Sequence, residues 1–152
     1  MSSPIQFFNE GISFTLKDKA GIRKWLTHVI REEKKKPWYI NFIFCSDEYL
    51  LDLNKTYLKH ETYTDILTFP YNDDENTVSG DIFISVDRVK ENAGLYLQDF
   101  QREMKRVMVH GVLHLIGYSD HGKREKEVMT EREDHCLDSY DKLNNTLKIR
   151  HI

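Results

Sequence analysis

Cysteine and long apolar runs are both scarce in this 152-residue sequence. The two cysteines, Cys45 and Cys136, lie far apart and form no CxxC pair, so we expect free thiols rather than a disulfide or a zinc ligand pair. No apolar run approaches the ~20 residues that a membrane-spanning helix requires, so we expect no membrane partner. The first residues also lack the basic start, apolar stretch and small-residue cleavage site of a secretory signal. These absences predict a cytoplasmic protein.

A large excess of charge of either sign is missing as well. The formal net charge is -3, which argues against a globally basic surface that coats nucleic acid. Basic residues are nevertheless concentrated between Arg102 and Lys126, where six Lys or Arg stand against three acidic residues. An acidic loop is expected elsewhere, at Asp73, Asp74 and Glu75. The local basic excess surrounds a segment rich in histidine.

The hydrophobic pattern predicts an α/β (α+β) sandwich, in which about five helices pack on a mixed sheet of about four strands. At this length we expect one domain over residues 1–152. The expected strands cover residues 5–8, 38–45, 65–70 and 80–86, and residues 12–16 form a further strand-like stretch before the first helix. The expected helices begin at Asp18, at Ser46 or Asp47, at Asp87, near Asp99 and near Lys123.

The predicted helix near residues 99–116 carries two histidines four positions apart, within the stretch HGVLHLIGYSDH at residues 110–121. Residues at this spacing share a helix face, so His110 and His114 can aim two ring nitrogens at one ion at ~2.0–2.1 Å. Gly117 allows the chain to turn after the helix, which brings His121 within reach as a third ligand. A fourth position would stay open to water, as is typical of catalytic zinc. The alternative is that both histidines are simply packed on a core helix.

Gly111, directly after the first histidine, argues against a metallopeptidase mechanism. The HExxH helix of metallopeptidases places its general base, a glutamate, at this position, so the peptidase mechanism lacks its base here. A glycine inside a helix costs about 1 kcal/mol relative to alanine. Its presence predicts the close approach of another backbone or of a group that supports the metal.

The histidine stretch resembles the HGxLHLxGYDH motif of the YbeY family, bacterial metal-dependent endoribonucleases of ribosomal RNA maturation. The similarity extends beyond the motif. Residues 53–70 resemble the family's LNxxYR…PTxVLSFP stretch, and Gly80–Ser85 resembles its GDIxIS strand. Together these segments follow the family's order along the chain.

The resemblance implies an α/β domain that holds one zinc-type ion on His110, His114 and His121, with nickel or another divalent ion as alternatives. It further implies hydrolysis of single-stranded RNA near the 3′ end of small-subunit ribosomal RNA, and a part in ribosome quality control. The implied partners are this RNA together with ribosomal proteins or an assembly GTPase.

Two departures from the family motifs leave site residues open. Tyr118-Ser119-Asp120-His121 is one residue longer than the family's Tyr-Asp-His, so Asp120 is an alternative third ligand. Leu58 stands where the family has an arginine, and Lys59 or His60 can take over its charge.

The remaining candidate for contact with phosphate is Arg106, which lies one turn before His110 on the same helix face. The alternative for each of these side chains is an ordinary polar surface. Two other functions stay open from the sequence. One is a ribosome-assembly factor that binds RNA and protein and uses its metal mainly for structure, and the other is a metallohydrolase that acts on peptides or small molecules.

Overall fold

A four-stranded mixed sheet forms the centre of the protein. The computed structural model describes the backbone of residues 3–71 and 74–150, and side chains up to residue 144. Asp73 of the expected acidic loop lies outside the described residues. The sheet order is β1-β2-β4-β3, with β1, β2 and β4 parallel and β3 antiparallel at one edge. The strands are β1 Ile5–Asn9, β2 Lys36–Cys45, β3 Ile66–Pro70 and β4 Thr77–Ser85.

Five α-helices accompany the sheet, which confirms the predicted fold class. Three of them begin at the capping residues that the sequence indicates, because the side chains of Asp18, Ser46 and Asp99 accept hydrogen bonds from the first helical turns. A short π-helical turn, Asn54–Leu58, follows the second helix. The helices are α1 Lys19–Glu32, α2 Asp47–Leu53, α3 Val86–Leu95, α4 Phe100–Ile116 and α5 Lys123–Arg150.

The expected strand at residues 12–16 is wrong. The chain turns at Gly11, whose φ is +69°, and the following segment has no regular structure. Its apolar side chains pack into the core instead: the ring of Phe14 lies 4.9 Å from that of Phe44, and Leu16 is buried. Asn9 Nδ2 donates to the carbonyl of Phe14 at 2.8 Å, so the segment is fixed by side chains rather than by a strand ladder.

The two faces of the sheet contribute to two separate apolar clusters. Phe42 and Phe44 of β2 lie in the larger cluster, which also includes side chains from α1, α4 and α5. Cys45, the next residue along β2, belongs to a smaller cluster with Leu50 of α2 and Leu67 of β3. This alternation follows the two-residue period of a strand. It places α4, with its two histidines, on the larger core.

Gly111 explains how closely α4 approaches the sheet. A Cβ atom at this position would lie 2.9 Å from Cδ1 of Ile66 and 2.9 Å from Cγ2 of Ile82. The neighbours are therefore apolar side chains of β3 and β4, and the expected backbone or metal-supporting group is not the cause. The close contact seats the middle of α4 against the sheet beside His110.

The expectation of free thiols holds for both cysteines. Cys45 and Cys136 are free and buried, and burial raises the pKa of the Cys45 thiol to about 12 and that of Cys136 to about 11. None of the described helices has both the length and the apolar character needed to cross a bilayer.

Candidate metal centre

His110 and His114 converge with Asp120 at the C-terminal end of α4. The Nε2 atoms of the two histidines lie 3.0 Å apart, and Asp120 Oδ2 lies 3.4 Å from the first and 3.3 Å from the second. Three ligand atoms at ~2.0–2.1 Å from a tetrahedral ion are separated by about 3.3–3.4 Å. The residues present therefore fit a metal ion of this type, and the cluster can bind one.

Both histidines are oriented through their other ring nitrogen. His114 Nδ1 donates to the carbonyl of Tyr118 at 3.0 Å, and a carbonyl can only accept, so Nε2 keeps its lone pair for a ligand bond. His110 Nδ1 lies 2.6 Å from a carboxylate oxygen of Glu133 on α5. Such partners fix the ring orientation and increase the basicity of the ligand nitrogen.

Glu133 is the functional residue that the sequence analysis missed. Its side chain is buried, and its second oxygen accepts from Arg106 at 2.9 Å. One signal for it was present in the sequence. Met129, Cys136 and Tyr140 form the buried stripe of α5, and Glu133 occupies the same stripe. A carboxylate on an apolar stripe indicates a specific partner inside the protein.

The electrostatics of the site are dominated by carboxylates around His110. Burial alone would lower the pKa of His110, but its hydrogen bond to Glu133 and the charge of that residue outweigh burial, so the pKa is raised. Burial raises the pKa of Asp65 and of Glu103. Both side chains line a cavity of about 340 Å³ next to His110, together with Asp120 and Glu133.

Comparison with known proteins identifies the family. The family model described as Endoribonuclease YbeY matches residues 6–141. This chain belongs to the endoribonuclease YbeY family. The predicted resemblance is thereby confirmed over most of the chain rather than over the histidine motif alone.

Individual relatives agree with this result. An endoribonuclease YbeY of Cytophaga hutchinsonii is 47% identical over 133 residues, which cover 88% of this chain and 93% of that protein. A second, from Amoebophilus asiaticus, is 44% identical over 129 residues and covers 85% and 88%. The solution structure of a protein from Thermotoga maritima superposes with a TM-score of 0.65 at 25% identity and covers 93% of this chain and 92% of that one.

The candidate third ligand that the structure places beside His110 and His114 is Asp120. In the described part of the chain, three histidine or carboxylate residues whose ligand atoms all lie within 4.8 Å of one another are His110, His114 and Asp120. His121 is exposed and lines a different surface concavity with Lys123 and Lys126. The structure thus brings the alternative ligand to the cluster, while coordination by His121 stays a prediction.

The candidates for contact with phosphate are placed differently from one another. Arg106 lines the cavity beside His110, but its guanidinium is engaged by Glu133 and by Asp134, at 2.7 Å from the latter. Lys59 and His60 are exposed in the loop before β3, and neither lines that cavity. A role in binding phosphate stays a prediction for all three residues.

The loop that contains Leu58, at the position of the family's arginine, is held by one buried side chain. Asn54 Nδ2 donates to the carbonyl of Thr62 at 2.8 Å, and the carbonyl of Asn54 accepts from the backbone of His60 at 3.2 Å. Leu58 itself is 44% exposed. The loop leads directly to Asp65, so Asn54 helps to set where that carboxylate enters the cavity.

Proposed function

We propose that this protein is a metal-dependent endoribonuclease that hydrolyses phosphodiester bonds in single-stranded RNA. The observation that carries the proposal is the cluster of His110, His114 and Asp120 in a chain of the endoribonuclease YbeY family. The Nδ1 atoms of both histidines are held by contacts to Glu133 and to the carbonyl of Tyr118. A metal site with three protein ligands and one open position is the arrangement that catalytic zinc uses.

We propose zinc as the ion, with nickel or another divalent cation as alternatives. Two imidazole nitrogens and one carboxylate oxygen suit zinc in charge and in ligand type. When bound, such an ion lowers the pKa of coordinated water towards ~7 and polarises a phosphoryl oxygen. The separations within the cluster support His110, His114 and Asp120 as its ligands, and His121 is the alternative to Asp120.

The protein's own groups have separate tasks in this proposal. Glu133 and the carbonyl of Tyr118 hold the ring nitrogens of the two histidines in their productive orientation. Arg106 stabilises the buried charge of Glu133 and lies close enough to the cavity to meet a phosphate. Lys59 and His60 supply charge from the neighbouring loop.

The cellular role proposed is maturation of small-subunit ribosomal RNA near its 3′ end, together with ribosome quality control, in the cytoplasm. Contacts with ribosomal proteins or with an assembly GTPase belong to the same proposal. Its support is the family resemblance. The chain is proposed to act as one domain over its 152 residues.

Purified protein incubated with single-stranded RNA tests the activity. We expect cleavage that a chelator abolishes and that zinc restores, because hydrolysis depends on the bound ion. His114→Ala is expected to be inactive, whereas His28→Ala, a matched change at an exposed histidine of α1, keeps full activity. Cleavage by the purified protein that persists in His114→Ala or in the presence of chelator would refute the proposal.

A further inference from the structure

A surface at the junction of α1 and β2 combines lysines with exposed aromatic rings. We call Lys34, Lys36, Trp38 and Tyr39 the lysine–tryptophan edge. Trp38 is 63% exposed and Tyr39 is 57% exposed, although Trp25 of the same chain is fully buried. Within the described chain, no hydrogen bond or ion pair engages the ammonium groups of the two lysines. Neighbouring large aromatic side chains at the surface are a typical feature of binding sites.

A β-bulge brings both rings to the surface. Pro37 pairs with Val78 and Tyr39 with Ser79, which leaves Trp38 as an extra residue in β2. Neighbouring residues of a regular strand point to opposite faces, so two consecutive exposed rings are not expected without such an irregularity. Bulges commonly redirect a side chain near a functional site.

A cleft of about 630 Å³ extends from the metal centre to residues that adjoin this edge, although Lys34, Lys36, Trp38 and Tyr39 do not line it. Its lining includes His114 and Gly117 from the end of α4, and Lys35 and Thr77 from the strand side. Thr77 pairs directly with Lys36 of the edge. A polymer that leaves the metal centre through the cleft therefore comes close to the lysine–tryptophan edge, next to Lys35 and Thr77.

The cleft itself is mixed in charge. Asp74 and Glu75 also line it, and the ammonium of Lys35 donates to the carbonyl of Glu75. The ammonium groups of Lys34 and Lys36, on either side of Lys35 in the sequence, have no such partner among the described residues. Phosphate is thus attracted at the edge, and the cleft provides the passage.

We propose that the lysine–tryptophan edge binds the single-stranded RNA that extends from the scissile bond, with bases stacked on Trp38 and Tyr39 and phosphates held by Lys34 and Lys36. This inference rests on the proposed endoribonuclease function. Single-stranded RNA offers unpaired bases that stack on the two rings and phosphates that pair with the two lysines. A duplex or an acidic protein would contact the lysines alone. Aromatic stacking accepts any base, so the edge holds RNA without selecting its sequence.

Tryptophan fluorescence tests the stacking directly. The chain has two tryptophans and Trp25 is buried, so quenching by added RNA reports on Trp38. We expect single-stranded RNA to quench this emission and duplex RNA of equal length to leave it unchanged. Trp38→Ala is expected to raise the dissociation constant and the KM roughly 5- to 100-fold, with kcat retained. Trp38→Phe keeps a ring and binds nearly as well, and Tyr96→Ala, another exposed aromatic, serves as the control.

The salt dependence of RNA binding tests the lysines. Each phosphate contact to a single strand contributes about 0.7 to the slope of log affinity against log salt, so Lys34→Gln with Lys36→Gln is expected to reduce the slope by about 1.4. The matched double variant Lys17→Gln with Lys90→Gln removes two exposed lysines elsewhere and keeps the slope. An unchanged slope in the first variant would overturn the lysine contacts.

Lys34→Gly separates binding from folding. Lys34 has φ +62°, in the left-handed region where glycine is favoured after a helix. Replacement by glycine is therefore expected to raise the melting temperature while it weakens RNA binding. A lysine with a purely structural role would not give these opposite changes, and unchanged affinity in this variant counts against the proposal.

The two proposals fail in different ways. If RNA quenches Trp38 but the wild-type protein does not cleave it, the endoribonuclease function is wrong and the edge remains an RNA site. If the protein cleaves RNA, but neither quenching nor a change of KM in Trp38→Ala occurs, the edge is wrong and the metal centre alone is responsible.

Discussion

Glu133 of α5 lies 2.6 Å from Nδ1 of His110 on α4 and joins the two helices at the metal centre. The contact brings together residues 23 positions apart. The same carboxylate accepts a hydrogen bond from Arg106, so one buried charge orients His110, a proposed metal ligand, and is itself stabilised by a cation. The arrangement matches the carboxylate–histidine–metal units in which the outer group tunes the ligand.

Replacement of Glu133 should weaken metal binding without removing a ligand. We expect Glu133→Gln to lower metal affinity by roughly 10- to 100-fold, because it removes the charge behind His110 and alters its hydrogen bond. Competition with a chromophoric chelator measures the affinity. Asp134→Asn is the matched control, since Asp134 also pairs with Arg106 but makes no contact with the histidine. Equal losses in both variants would show that Arg106, rather than His110, transmits the effect.

The third ligand can be identified by metal content. We expect Asp120→Ala to lose the bound ion, because Asp120 supplies the third corner of the cluster, whereas His121→Ala retains it. Elemental analysis after dialysis gives the stoichiometry for both variants. If His121→Ala loses the ion and Asp120→Ala keeps it, the family's histidine ligand applies here and the loop rearranges when the metal binds.

Asp120 and His121 illustrate which parts of the site can be predicted from the sequence alone. The i, i+4 histidines and the glycine after them follow from helix geometry, so sequence alone predicts their shared face and the turn. Which residue completes the site depends on the path of a loop that Ser119 lengthens. That path depends on tertiary contacts such as the hydrogen bond that Tyr118 Oη donates to Glu33 at 2.7 Å, which local sequence patterns do not predict.

The same distinction applies to the rest of the fold. Helix starts at Asp18, Ser46 and Asp99 were predictable, because capping is a contact between near neighbours in sequence. Residues 12–16 have a strand-like sequence pattern, but in the described structure they pair with no strand of the sheet. The burial of Glu133 was predictable from its position on the buried stripe of α5, but its contact with His110 was not. The exposure of Trp38 depends on a bulge whose register involves another strand.

The raised pKa of Glu103 predicts that the protein loses stability as the pH rises. Burial raises its pKa, opposed by the charge of Arg106, so the folded protein holds this proton to higher pH than the unfolded chain, in which glutamate titrates near ~4.3. The folded state consequently loses stability as the pH rises through this range. Metal-free Glu103→Gln should have a larger free energy of unfolding than wild type at pH 7, and the difference should shrink below pH ~4.

Urea unfolding at several pH values measures this difference. Glu131→Gln removes an exposed carboxylate of α5 and controls for the general change in charge. A Glu103→Gln protein that is less stable than wild type at pH 7 would mean that the ionised carboxylate has a stabilising partner in solution.

Two helical glycines should respond in opposite directions to alanine. Gly111→Ala is expected to destabilise the protein by about 1–3 kcal/mol, because the added Cβ meets Ile66 and Ile82 and overpacks the contact with the sheet. Gly94→Ala in α3 has no atom within 4 Å of the new Cβ and should gain up to about 1 kcal/mol from helix propensity. Denaturant unfolding compares the two. A gain at Gly111 would show that α4 can move away from the sheet.

Titration of zinc into metal-free protein, with RNA cleavage followed at each step, shows whether hydrolysis depends on an ion at this site. We expect the cleavage rate to rise in proportion to bound zinc and to level off at one ion per chain, and Asp120→Ala to remain inactive over the same range. Full cleavage activity in metal-free protein, or a cleavage rate that does not depend on the occupancy of this site, would contradict a metal centre formed by His110, His114 and Asp120.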